Sequence, residues 1–88
     1  MKDITETMSF TSEDFKQDNI QHVLRLVNEV LLERGYNSVN QIAGYLISND
    51  PAYISSHKNA RTIIQDVDRY EIIEELVRFY LNSREVSE

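Results

Sequence analysis

Asp18-Asn19-Ile20-Gln21-His22-Val23-Leu24-Arg25-Leu26-Val27-Asn28-Glu29-Val30-Leu31-Leu32-Glu33-Arg34-Gly35 is the stretch that decides the fold. Ile20, Val23, Leu24, Val27, Val30 and Leu31 recur at spacings of three and four, which lines one face of a helix. Asp18 has the short carboxylate that accepts backbone N–H bonds at a helix start. Gly35 suits the left-handed position just past a helix end. The pattern predicts a first helix from Asn19 to Arg34.

Downstream, Ser38-Val39-Asn40-Gln41 fits a capping box, with Ser38 as cap and Gln41 reaching back. Val39, Ile42, Ala43, Leu46 and Ile47 then line a face to about Ser48, which gives helix two. Asn49-Asp50-Pro51 ends it, because a residue before proline resists the helical region. Asp50 and Pro51 also suit a single turn through Tyr53. Ala60, Ile63, Ile64 and Val67 predict helix three, from His57 to Val67. Asp68-Arg69-Tyr70-Glu71 is a second, acidic capping box. Ile72, Ile73, Leu76, Val77 and Tyr80 run down helix four to about Asn82, and Ser83 to Glu88 are expected to fray. Ile42-Ala43-Gly44-Tyr45-Leu46 and Val77-Arg78-Phe79-Tyr80-Leu81 are alike enough to hint at internal pseudosymmetry.

Upstream, residues 1–17 are polar and rich in hydroxyls: Thr5, Thr7, Ser9, Thr11 and Ser12, with Glu6, Glu13 and Asp14. Ile4, Glu6, Met8 and Phe10 alternate with hydroxyl residues, a period of two that fits a short strand, but a strand without a partner is weak. The reading is a flexible tail over 1–17 that docks in part through Phe10 or Phe15, a helical domain over 18–82 and a frayed end over 83–88. The fold class is all-α: a compact bundle of about four short helices, two helix–loop–helix units behind the tail.

Composition bounds the rest. The 88 residues make one domain. A domain this small buries roughly 60% of the surface its unfolded chain exposes, so self-association is the expected extra support. There are no cysteines, and two glycines and one proline suit helices better than a turn-rich β fold. His22 and His57 stand too far apart for a ligand pair, so no metal and no cofactor is expected. No apolar run approaches the roughly 20 residues that span a bilayer, and no signal peptide opens the chain, so no membrane insertion and a cytoplasmic location are expected. The six tyrosines and phenylalanines from Tyr36 to Tyr80 suit interfaces and core edges equally.

Catalysis is not expected. There is no cysteine nucleophile, no histidine in a nucleophile context and no glycine-rich phosphate loop. Glu74-Glu75 and Asp66/Asp68 read as solvated faces and caps. The alternative is a helix-turn-helix-like DNA-binding regulator. Val39 to Leu46 would be its first helix, and the next helix would bring His57, Lys58 and Arg61 to a groove, with Arg69 beside them. Against it stand the net charge of −6 and the long Asn49–Ser56 connection. The tail offers a different chemistry. Threonines beside Glu6 in extended chain suit a kinase, and a phosphate adds about −1.5 to −2 charge and three acceptor oxygens.

From Gly35 onward the sequence resembles the IreB-type proteins. The likeness runs through Gly35-Tyr36-Asn37, Asn40-Gln41-Ile42, Gly44-Tyr45, Asp50-Pro51-Ala52-Tyr53, Asn59-Ala60-Arg61 and Glu71 to Leu81. The resemblance implies small cytoplasmic regulators of Gram-positive bacteria that form helical homodimers. It implies negative regulation of intrinsic cephalosporin resistance, through an unidentified downstream protein. It also implies phosphorylation of N-terminal threonines by a transmembrane Ser/Thr kinase with extracellular PASTA repeats. The family places a threonine three positions before a phenylalanine, which Thr7 and Phe10 match. A second family threonine falls where this chain has Ile4, with Thr5 displaced by one. Thr7 and Thr5 are therefore the expected phosphoacceptors. Ser38 and Ser55 stand where the resemblance leads one to expect proline, and Gln65-Asp66-Val67-Asp68 replaces a more basic run.

Overall fold

A computed structural model of the chain describes residues 12–87, with side chains over 15–83. The described chain is all-helical. Its helices are α1 (Ser12–Glu33), α2 (Ser38–Ser48), α3 (Ala60–Ile64) and α4 (Arg69–Ser87), with single 3-10 turns at Pro51–Tyr53 and His57–Asn59. α1 is the spine. It packs against α2, α3 and α4 and against the His57–Asn59 turn. Ile20, Val23, Val27, Val30 and Leu31 of α1 are buried, and Ile54, Ala60, Ile64, Val67 and Ile72 close the core over them.

α1 begins at Ser12, seven residues before the expected start, so residues 12–17 are helix rather than tail. Asp18 lies inside that helix and is exposed, not a cap. The polar lead turns carry no apolar stripe. At the other end Gly35 behaves as expected, at φ +78°. Its N–H bonds Leu32 O at 2.9 Å and the Tyr36 N–H bonds Leu31 O at 3.0 Å, the paired bonds of a Schellman motif.

The cap of α2 is Asn37, not Ser38: its side-chain oxygen accepts from the Asn40 N–H at 3.0 Å. Ser38 is buried and its hydroxyl donates to Asn28 Oδ1 on α1. Gln41 does not reach back; its Oε1 accepts from the Ser55 N–H at 2.9 Å and holds the distant loop. The expected face of α2 is also rotated. Tyr45 is the buried apolar residue, whereas Val39 and Ile47 are 76% and 84% exposed. Ser38, Ile42 and Tyr45, spaced i, i+4 and i+7, lie on the inward side, where Ser38 bonds Asn28 of α1.

Asn49 ends α2 in the left-handed conformation with its N–H on Tyr45 O, and Asp50 caps the Pro51–Tyr53 turn by accepting from the Ala52 N–H at 3.0 Å. Helix three is shorter than expected. Lys58 and Asn59 both take positive φ, which breaks the helical run before Ala60. α4 starts as read, with Asp68 accepting from the Glu71 N–H at 3.1 Å. It runs to Ser87, past Asn82, so 83–87 is helical rather than frayed.

Candidate interaction surface

Among the described side chains of α4, Ile72 and Glu75 are the buried ones. Beyond them Leu76, Val77, Phe79, Tyr80 and Leu81 are 40–63% exposed. Five large apolar side chains within six positions wrap more than one stripe, so the core can take only part of them. Together they form an apolar ridge along α4. Leu76 and Val77 continue it onto Ala43, Leu46 and Ile47 of α2. Leu76 also edges a groove of about 360 Å³ whose apolar lining includes Leu24 of α1 and Val39, Ile42 and Leu46 of α2. Ridge and groove make one continuous apolar surface across three helices. Contiguous apolar patches beyond a few hundred Å² mark interaction sites.

The polar residues surround this surface and serve the fold. Glu75 accepts from Gln21 Nε2 at 3.3 Å and from Arg78 Nη1 at 3.1 Å, so both carboxylate oxygens of this buried residue are used. Glu33 at the end of α1 meets Lys58 Nζ at 3.0 Å and His57 Nε2 at 3.2 Å. The hydrogen bonds from Lys58 and His57 hold the Glu33 carboxyl below its ordinary range. Among the described residues no group of three or more His, Asp or Glu can hold a metal ion. No described helix is long and apolar enough to cross a membrane.

The cations assigned to a DNA groove are engaged within the chain. Lys58 is on Glu33, Arg61 Nε donates to Ile54 O at 2.9 Å, and Arg69 Nη1 donates to Leu46 O at 2.7 Å. The helix that would enter the groove, α3, spans five residues. His22 is exposed on α1, and His57 is drawn into the Glu33 cluster. Thr7 and Thr5 lie outside the described residues.

With the fold and this surface in place, the comparison with known families is direct. The profile of the IreB regulatory phosphoprotein family matches residues 5–82. The chain belongs to the IreB family. That match takes in Thr5, Thr7 and every described helix up to Asn82 of α4, so the IreB pattern covers the N-terminal segment and the helical body together. The family is one of regulatory phosphoproteins, which agrees with the non-enzymatic reading of the residues.

The tyrosines divide between the two roles left open by composition. Tyr45 is buried and Tyr36 packs at the core edge, whereas Tyr53, Tyr70 and Tyr80 are 53–66% exposed. The hinted pseudosymmetry does not extend to burial, since Tyr45 is 5% exposed and its counterpart Tyr80 63%. The exposed α4 surface was the functional feature that periodicity missed. Its signal was the density of Leu76-Val77 and Phe79-Tyr80-Leu81, of which only Leu76, Val77 and Tyr80 entered the stripe read along helix four.

Proposed function

We propose that this IreB-family chain is a phosphorylation-controlled binding protein of the cytoplasm that works as a homodimer. Its substrate role is toward a PASTA-type transmembrane Ser/Thr kinase, with Thr7 as the principal acceptor and Thr5 the secondary one. Its output is negative regulation of cell-envelope function and cephalosporin resistance, through binding to a downstream protein. The single observation that carries the binding half is the continuous apolar surface over α1, α2 and α4. The family match, which spans Thr7, supports the phosphoprotein half.

A second copy is the occupant that this surface suits. A two-fold interface needs one self-complementary patch, and here a ridge (Val77, Phe79, Tyr80, Leu81) and a groove (Leu24, Ile42, Leu46) adjoin on the same face. The ridge of each protomer fills the groove of the other. Aromatic residues at its centre supply most of the affinity.

In the modification step the Thr7 hydroxyl oxygen attacks the γ-phosphorus of ATP. The new O–P bond replaces the bond to ADP, which leaves, and the hydroxyl proton passes to the aspartate base of the kinase. Two measurements test the proposal. Intact mass with ATP and the kinase's catalytic domain is expected to rise by at least one phosphate, and most of the gain to disappear with Thr7→Ala. Undiminished uptake in Thr7→Ala, or none in the native chain, overturns the Thr7 assignment. Sedimentation is expected to give twice the 10.3 kDa chain mass. Tyr80→Asp is expected to weaken the dimer at least tenfold, which corresponds to about 1.4 kcal/mol. A native chain that sediments as a monomer at micromolar concentration overturns the dimer.

A further inference from the structure

α4 carries two stripes that compete for the core, and it buries the less apolar one. Ile73, Leu76, Val77 and Tyr80, spaced i, i+3, i+4 and i+7, form an unbroken apolar stripe. Ile72, Glu75 and Phe79, spaced i, i+3 and i+7, form another that contains a carboxylate. Apolar area alone selects the first stripe for the core. The protomer does the opposite: Ile72 and Glu75 are buried, whereas Leu76, Val77 and Tyr80 are exposed. An interaction other than apolar burial therefore sets the rotation of α4.

Glu75 supplies that interaction. Its Oε2 accepts from Gln21 Nε2 of α1 at 3.3 Å, and its Oε1 accepts from Arg78 Nη1 at 3.1 Å. Arg78 lies one turn on in the same helix, so it balances the Glu75 charge in any rotation of α4. Gln21 does not turn with α4. Among the described residues it is the one side chain outside α4 that bonds Glu75. The Lys16–Glu71 pair joins the same two helices, but it is open to water, and an ion pair of that kind contributes little. A buried carboxylate that loses a partner is costly, which ties the rotation of α4 to the Gln21 bond.

We propose that Glu75 is the positioning residue of the apolar surface: its bond to Gln21 holds α4 in the rotation that keeps Ile72 inside and presents Leu76, Val77 and Tyr80 to a partner. The purpose of this setting rests on the reading of that surface as a binding site. The setting itself is a property of one protomer and needs no partner. Without the Gln21 bond, α4 turns so that Glu75 reaches water and Leu76 and Val77 move onto α1, and the ridge is withdrawn. The buried polar contact secures one arrangement against a more apolar competitor.

The test uses the full chain with isotope-labelled methyl groups and a soluble gadolinium chelate, which broadens the signals of methyls at the surface. Buried Val27 and exposed Leu32, both on α1, are the internal standards. In the native chain Ile72 is expected to stay sharp like Val27. In Gln21→Leu it is expected to broaden like Leu32 while Val27 stays sharp. Adding Glu75→Leu removes the carboxylate and makes the Ile72 stripe apolar, so Ile72 is expected to return to the shielded class. Glu75→Ala, which keeps a strong helix former in place, is the second variant and is expected to match Gln21→Leu. Self-association of Gln21→Leu is expected to weaken at least tenfold, which corresponds to about 1.4 kcal/mol. Ile72 that stays shielded in either folded single variant overturns the proposal. So does exposure that persists in the double variant, or unfolding of both single variants, seen as broadening of Val27. Undiminished self-association in a chain whose Ile72 has become exposed overturns the positioning role. A native chain that sediments as a monomer strikes the dimer instead and leaves the Ile72 measurement to decide the rotation.

Discussion

α1 and α4 are the two long helices of this chain, both dense in apolar residues, and they meet opposite fates. In α1, Val27 and Leu31 are 0% exposed, because α2, α3 and α4 all pack on it. α4 packs mainly on α1, and past Ile72 its apolar side chains stand in water. Helical amphipathicity thus specifies that a face is to be covered, not which molecule covers it. The central stripe of α1 is covered within the protomer. The apolar side chains of α4 from Leu76 to Leu81 are left exposed.

The largest effect that tests this contrast is in the core. Leu31→Ala is expected to cost about 2–5 kcal/mol in urea unfolding, from lost transfer energy and the cavity left behind. That is a large share of the roughly 4–13 kcal/mol available to a chain this size. Val77→Ala, measured at high dilution, is expected to stay within about 0.5 kcal/mol, as surface substitutions do. A Val77→Ala cost that approaches that of Leu31→Ala would mean that α4 is sealed within the protomer, and the contrast would fail.

A smaller effect asks whether α2 belongs to the sealed side or the open one. Gly44 sits in α2 where an added Cβ would come 2.6 Å from the ring of Tyr53. Alanine is favoured over glycine in a helix by about 0.8–1 kcal/mol, while overpacking costs about 1–3 kcal/mol. Gly44→Ala is therefore expected to lose about 1 kcal/mol of stability in thermal or urea unfolding, by the difference of those two terms. In a Tyr53→Ala background the clash is gone, and the same change is expected to gain roughly 0.5–1 kcal/mol. A gain in both backgrounds would show that the half-exposed Tyr53 ring swings aside, and would move that flank of α2 to the open side.

Much of the fold was legible in the residues, and the exceptions share a cause. The stripe of Ile20 to Leu31, the Gly35 stop, the Asp50-Pro51 turn and the Asp68 cap are all local signals, and each appears where its chemistry places it. The start of α1 was hidden because Ser12 to Asn19 is a polar helix, held to α4 by Lys16 and Glu71, 55 positions apart in sequence. The cap of α2 was misread because Ser38 and Gln41 spend their hydrogen bonds on Asn28 and on Ser55, partners that only the tertiary fold supplies. Helix three was overextended because positive φ at Lys58 and Asn59 leaves no mark in apolar spacing. The interaction surface was written in Leu76 to Leu81, but periodicity cannot divide an apolar run between the inside of a protomer and the outside. The proposal of Thr7 and Thr5 as phosphoacceptors rests on hydroxyl chemistry and family likeness.

The smallest effect lies at the C-terminal end of α1, where electrostatics rather than packing secures the sealed side. Glu33 joins Lys58 and His57 across the turn with two left-handed residues, and these bonds hold its carboxyl below the ordinary glutamate value. A carboxyl depressed in the folded state adds stability above its unfolded pKa and loses it as the pH falls through the folded one. The Glu33 tie is therefore expected to be complete at neutral pH and to weaken only below the ordinary glutamate range. Arg34 Nη1 lies 3.4 Å from His57 Nδ1, on the other side of the ring from Glu33. Amide chemical shifts of residues 57–59, followed on acidification, are expected to move with the loss of this carboxylate. Glu33→Gln is expected to show the acid-side shifts already at neutral pH, while the shifts of Leu76 to Leu81 stay in place. Acid-dependent shifts that persist in Glu33→Gln would assign the pin to another group. Shifts that spread to Leu76–Leu81 would mean that the two sides of the molecule are coupled through α1, which the contrast between its two long helices does not predict.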